Sequence, residues 1–126
     1  MSDSVDPAPE KPGGFCIFCE VIAGRSPGNI RYEDDDVIVF DNELTWVPIM
    51  LLVVPRIHRS QADMWTDPAM LAKIGELAVR FGRKLSPGGY RLLSNIGIDA
   101  LQSQDHAHLH VIGGTQLGIY VRPPAH

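Results

Sequence analysis

The chain has 126 residues, 44% of them hydrophobic, and a net charge of −4 with neutral histidines. One domain with a real core is the simplest division at this length. The chain carries no basic block, which argues against nonspecific nucleic-acid binding, and no apolar run approaches the roughly 20 residues of a membrane helix.

Residues 1–14, MSDSVDPAPEKPGG, are polar and rich in proline and glycine. That composition predicts a disordered tail without a secretory signal, a cytoplasmic protein, and an ordered domain over 15–126. FCIFCEVIAG (15–24) reads as a short helical turn carrying two cysteines and ended by Gly24. NIRYEDDDVIVFDN (29–42) reads as two strands around an acidic turn at Asp34 to Asp36. The longest apolar run, VPIMLLVVP (47–55), is bounded by prolines and reads as a buried strand over 49–55. TDPAMLAKIGELAVRFGRKL (66–85) predicts the one long helix. Thr66 or Asp67 caps it, Pro68 suits its first turn, and Leu71, Ile74, Leu77, Ala78 and Phe81 share a face. YRLLSNIG (90–97) reads as a fourth strand and DALQSQ (99–104) as a polar loop.

The loop feeds QDHAHLHVIGG (104–114), which sets His106, His108 and His110 at every second position. Read as a strand, the segment aims all three imidazoles to one face and Ala107, Leu109 and Val111 to the other, toward a core. On a helix the three rings would spread over too wide an angle to form one site. The whole predicts an α+β domain: a mostly antiparallel five-stranded sheet, one long helix and a short N-terminal helix.

Cys16 and Cys19 form a CxxC in a chain without secretory features, where that spacing more often signals metal or redox chemistry than a structural disulfide. A thioredoxin-like redox motif calls for a βαβ context, and this CxxC precedes the first strand. Structural zinc usually takes four nitrogen or sulfur ligands in a tetrahedron. Two cysteines therefore look for two histidines, and His58 and His106 are available at separate strand positions. The plainer alternative is two buried thiols and a surface histidine.

QSQDHAHLHVIGG resembles the signature of the histidine triad (HIT) family: three histidines alternating with apolar residues, preceded by Gln-Ser. FCIFCEVIAGRSPGNIRYEDDDVIVFDN, VPIMLLVVPRIH and SNIG resemble further segments of that family, in order, from about Cys16 to Pro124. The nearest branch is the Hint-like nucleoside phosphoramidases and their bacterial relatives. The resemblance implies a HIT-like fold and nucleotidyl transfer or hydrolysis at the α-phosphate of a purine nucleotide. His108 matches the nucleophile, whose attack on phosphorus would form a nucleotidyl-histidine intermediate. A backbone carbonyl of the same strand would hold its other nitrogen. His110 matches the third histidine, facing the phosphate and able to stabilise negative charge when protonated. Gln102 and Ser103 match the phosphate-side loop, with the serine hydroxyl suited to the leaving group, and Asn95 matches a polar partner to phosphate. Phe18, Val21, Phe40 and Leu52 match apolar residues that sandwich the base. Asn42 falls where an acidic residue often holds the ribose hydroxyls; Asp41 beside it would face the other way on a strand. Cys16, Cys19, His58 and His106 match a structural Zn²⁺ site found in bacterial members. The resemblance further implies a homodimer, with the 66–85 helix and 90–97 strand at the seam and the C-terminal tail near the partner's site.

Three departures stand out. Met50 occupies the position of a fourth histidine common in the Hint-like branch, and methionine cannot replace the hydrogen bonding of an imidazole. Leu101 stands where the phosphate loop often has glycine. Tyr120 and Arg122 stand where the branch has a tryptophan. Two main classes of function follow: a nucleotide phosphoramidase or nucleotidyl hydrolase, or a nucleotide-binding, zinc-stabilised scaffold with weak chemistry. A catalytic metal site on the three histidines is a third reading, disfavoured because metallohydrolases usually recruit carboxylates as well and DHAHLH does not match their common order.

Overall fold

A computed structural model describes residues 15–119 of the chain. The readings of residues 1–14 as a tail, of Tyr120 and Arg122, and of the C-terminal tail lie outside the described residues. In chain order the elements are α1 (Ile17–Ile22), β1 (Ile30–Glu33), β2 (Val37–Asp41), β3 (Ile49–Pro55), α2 (Gln61–Trp65), α3 (Pro68–Leu85), β4 (Tyr90–Leu93) and β5 (Leu109–Gly113). A single 3₁₀ turn, Ile98–Ala100, sits in the loop before β5. The strands form one antiparallel sheet in the order β1-β2-β3-β5-β4, so the fold is the expected α+β architecture. None of the described helices is long and apolar enough to cross a membrane.

Both faces of the sheet are covered, and the strands show it. β2 is buried over Val37 to Phe40 and β3 over Leu51 to Pro55, as continuous apolar runs without polar alternation. Val37, Val39, Leu51, Val53, Leu109 and Val111 point to the face that receives α2 and α3, where Met64, Ile74, Leu77 and Phe81 close the larger core. Ile38, Phe40, Leu52 and Val54 point to the other face and pack under α1 against Cys16, Phe18, Cys19 and Val21. A helix of six residues cannot stand alone in water. α1 is held by that packing and by its cap, the Cys16 sulfur, which accepts the Cys19 N–H at 3.3 Å.

α3 starts at Pro68 with Asp67 as its cap, the carboxylate accepting the Met70 N–H at 3.1 Å. Thr66 instead ends α2, a separate five-residue helix capped by Ser60 that the sequence reading did not anticipate. Of the expected apolar stripe, Ile74, Leu77, Ala78 and Phe81 are buried, while Leu71 is only half-buried at the margin. Lys73, on the outer side of α3, is tied at 2.7 Å to Asp34, whose carboxylate also accepts the N–H groups of Asp36 and Val37 and thereby builds the acidic turn between β1 and β2.

Two strands are shorter than expected. β4 ends at Leu93, not at residue 97, and β5 begins at Leu109, not at His106. The β3–β5 register runs from Ile49↔Gly113 to Val53↔Leu109, and its continuation would set Pro55 opposite Ala107. Proline has no N–H to donate, so the ladder stops there. Ala107 turns its N–H to the carbonyl of Arg59 at 2.8 Å. Only His110 of the three histidines therefore lies within a strand.

Two glycines of α3 make opposite demands. A Cβ on Gly82 would come within 2.5 Å of the Tyr90 ring, where helix and sheet approach closely, while a Cβ on Gly75 would meet nothing within 4 Å. Gly75→Ala is expected to stabilise the fold by about 0.5–1 kcal/mol through helix propensity. Gly82→Ala is expected to destabilise it by about 1–3 kcal/mol despite the same propensity gain, because the core is overpacked. Chemical denaturation of the two variants checks the contrast.

Candidate active site and metal centre

α1, β3 and the lead-in to β5 meet around Cys16, Cys19, His58 and His106, whose ligand atoms all lie within 4.8 Å of one another. The turn of α1 places both sulfurs on one side, buried and without a disulfide. His58 follows the end of β3, and His106 precedes β5. The Cys16 and Cys19 sulfurs sit 3.6 and 3.5 Å from Nδ1 of His106, and the Cys19 sulfur 3.4 Å from Nδ1 of His58. Zn–S bonds of about 2.3 Å and Zn–N bonds of about 2.0–2.1 Å give tetrahedral S···N edges of about 3.5–3.6 Å. The four side chains thus fit a Cys₂His₂ structural zinc site. His106 is prepared for the role in two further ways. Its Nε2–H donates to the Pro55 carbonyl at 2.7 Å, which leaves the Nδ1 lone pair for the metal. Burial also pushes it down to about 4, so the ring stays neutral, as a ligand must.

On the same face of the sheet, α1, the end of β2 and the start of β5 enclose a cleft of about 390 Å³. Phe18, Val21, Phe40 and Leu52 form its apolar wall, and His108, His110 and Ser103 lie on it as well. Phe18 is the pivot of the wall, its ring edge-on to Phe40 at 5.6 Å and to His108 at 5.1 Å. Asn42 marks a more polar end, together with Asn29, Glu43 and Asp41. Asp41 pairs with Leu51 of the α2 and α3 face, and its carboxylate is held by Arg31 at 2.9 Å and by Asn29. Asn95 and Gln102 are not brought to the cleft. Gln102 braces the loop, accepting the Gly97 N–H at 2.8 Å and donating to the Gln104 carbonyl at 2.9 Å. Leu101 adopts the left-handed conformation at φ 61°, unique to it among the described non-glycine residues. Holding leucine there costs about 1–2 kcal/mol, which glycine at the same position would avoid.

His108 is 4% exposed and closely determined. Its Nδ1 lies 2.8 Å from the carbonyl oxygen of His106, which can only accept, so Nδ1 carries the proton and Nε2 the lone pair. Its backbone N–H donates to Oε1 of Gln61 at 3.1 Å, and its carbonyl accepts from the Ser94 hydroxyl at 2.7 Å. His110 stands next to it, ring centroids 4.9 Å apart. Burial, and then the neighbouring His108, push His110 down to about 4. The ring expected to serve in its protonated form is therefore neutral in the free protein at neutral pH. Burial lowers His108 too, against the opposing pull of the His106 carbonyl. The sequence reading missed Gln61 and Ser94, since neither belongs to the spaced histidine and cysteine pattern.

Protein purified without chelator is expected to hold one zinc per chain. Cys19→Ser should lose the metal and at least about 3 kcal/mol of stability, a modest share of the roughly 10–16 kcal/mol that structural zinc binding supplies. Elemental analysis alongside thermal unfolding measures both. Metal-free protein of unchanged stability would contradict the site.

The HIT domain family model matches residues 23–117. An uncharacterised HIT-like protein of Saccharolobus solfataricus is 33% identical over 101 residues, covering 78% of this chain and 73% of the relative. A HIT family hydrolase from Clostridium thermocellum superposes with a TM-score of 0.79 at 27% identity, covering 90% of this chain and all of that one (100%). A zinc-bound histidine triad family protein from Mycobacterium smegmatis superposes with a TM-score of 0.72 at 25% identity, covering 87% of this chain and 84% of that one. With the alternating histidines beside a cleft, and the family match spanning most of the domain, the chain belongs to the histidine triad (HIT) family.

Proposed function

We propose that the protein is a nucleotide hydrolase or transferase acting at the α-phosphate of purine nucleotide conjugates, phosphoramidates among them. The observation that carries this reading is the state of His108: a neutral ring on a cleft wall, its Nδ1–H taken by the His106 carbonyl, its Nε2 lone pair left for phosphorus. In the first step Nε2 attacks the α-phosphorus, a P–N bond forms, and the bond to the leaving group breaks as that group takes up a proton. In the second step water attacks phosphorus, the P–N bond breaks, and the nucleoside monophosphate departs with His108 neutral again. Two displacements replace one difficult hydrolysis.

The surroundings support the assignment. The cleft volume suits a small ligand, and Phe18, Val21, Phe40 and Leu52 offer apolar faces to a base. Asn42 and its polar neighbours offer partners for a ribose. His110 is neutral before substrate binds, and a phosphate anion beside it favours the protonated ring. Ser103, on the cleft lining, offers a hydroxyl suited to the leaving group. Gln102 shapes the loop through its bonds to Gly97 and Gln104, and neither it nor Asn95 is among the residues lining the cleft. The zinc-bound relative supports assigning zinc to Cys16, Cys19, His58 and His106. With four protein ligands such a metal has no open position, so it fastens α1 to the histidine segment and takes no part in the displacement.

One observation favours the scaffold reading. Met50 pairs with Ile112 on β3, two residues from the Leu52↔His110 pair, and supplies no imidazole to that region. Turnover decides between the two. Adenosine phosphoramidate hydrolysis should be measurable in the wild-type protein. His108→Ala should lower it by at least about 10³-fold while the fold and nucleotide affinity largely survive. Near-wild-type turnover in a folded His108→Ala variant would overturn the covalent mechanism, and no turnover in zinc-loaded wild-type protein would favour the scaffold. The chain is further proposed to work as a two-fold dimer, because β4 leaves a sheet edge with Leu92 partly exposed. Light scattering of the same preparation should give twice the chain mass, and a single-chain mass at micromolar concentration would exclude the dimer.

A further inference from the structure

Gln61 is a fully buried polar residue, 1% exposed, on α2, the helix whose Met64 joins the core on the face of the sheet opposite the cleft. Its amide makes two hydrogen bonds. Oε1 accepts the His108 N–H at 3.1 Å, and Nε2 donates to the Asn95 carbonyl at 3.4 Å. The partners fix its orientation, because an N–H only donates and a carbonyl only accepts.

The two partners belong together. The β4–β5 register runs from Tyr90↔Gly113 to Leu93↔His110, and its continuation would set Asn95 opposite His108. Had the sheet continued, this pair would be joined through the ladder. Instead β4 has ended, and the Gln61 amide lies between the N–H of one residue and the carbonyl of the other. A glutamine amide presents an acceptor and a donor side by side, as a peptide group does, so it splints the opened ladder with a side chain.

We infer that Gln61 is a positioning residue for the proposed nucleophile: it sets the His108 backbone, and through it the imidazole, from behind the sheet. The inference rests on the reading of His108 as the nucleophile. His108 lies beyond the last paired residues of β5, so no strand hydrogen bond fixes its N–H. Gln61 holds the N–H and Ser94 holds the carbonyl. The ring is then aimed by its bond to the His106 carbonyl, one peptide further back. With the N–H released, the segment loses a restraint close to the reacting atom, and displacements of about 1 Å there can cost about 10²-fold in rate. The nucleoside wall, built from α1, β2 and β3, does not touch Gln61 and should keep its affinity.

The test is steady-state and single-turnover hydrolysis of adenosine phosphoramidate by zinc-loaded full-length protein. Gln61→Met keeps the length and removes both hydrogen bonds. It is expected to lower kcat and the rate of intermediate formation by about 10- to 100-fold, with KM and zinc content little changed. Gln61→Glu keeps an acceptor for the His108 N–H and is expected to recover a large part of the loss, which also covers the case of a poorly folded methionine variant. Combining Gln61→Met with Ser94→Ala should give a non-additive loss, since both act on one residue. Wild-type kcat in folded Gln61→Met would overturn the inference, as would a fall in kcat matched by equal losses of affinity and zinc in both Gln61 variants. His108→Ala separates the two claims. Turnover that survives it defeats the nucleophile assignment, whereas turnover lost in it but kept in Gln61→Met defeats only the role of Gln61.

Discussion

His106 is where the molecule is tied together. One side chain and its own peptide serve three elements at once. Nδ1 faces the two sulfurs of α1, Nε2–H is held by the Pro55 carbonyl at the end of β3, and the backbone carbonyl takes the proton of His108. None of these groups can turn without disturbing the others. The ring is completely buried, so each contact forms where competing water is absent and the cost of leaving it unmade is high. Folding of the N-terminal helix, termination of β3 and the tautomer of His108 are therefore linked through one residue.

That linkage explains why a sheet covered on both faces suits this chemistry. The face under α2 and α3 is a conventional apolar core and gives the strands their stability. Among the described residues the opposite face is closed by α1, a six-residue helix, which leaves a cleft beside it. A metal site compensates for the small area that so short a helix can bury. The same face then keeps space for a ligand without leaving α1 loosely attached. Gln61 reaches in from the core side, so both layers contribute to the setting of His108.

Much of this was legible in the sequence, for identifiable reasons. The long helix carried its cap, its proline and a 3.6-residue apolar stripe. The strands were apolar runs bounded by proline, glycine or acidic turns. The CxxC of Cys16 and Cys19, with His58 and His106 at separate strand positions, suggested four ligands. What was not legible depended on hydrogen bonds formed across the fold. α2 has five residues, too few for a periodic pattern, and the role of Gln61 within it depends on the His108 N–H across the fold. The early end of the ladder follows from Pro55 lying across from the histidine segment, a pairing that no local window reveals. The neutrality of His110 reflects burial between neighbours, which spacing does not measure.

The central claim is that His108, held by the His106 carbonyl with its Nε2 lone pair free, takes the nucleotidyl group. The most direct measurement is acid-free quenching of a single turnover on zinc-loaded protein, followed by peptide mass mapping of the covalent adduct. The account predicts a mass increase of one nucleotidyl group on the peptide containing QDHAHLHVIGG, localised to His108 by fragmentation. Turnover that proceeds with the adduct on another residue would contradict it.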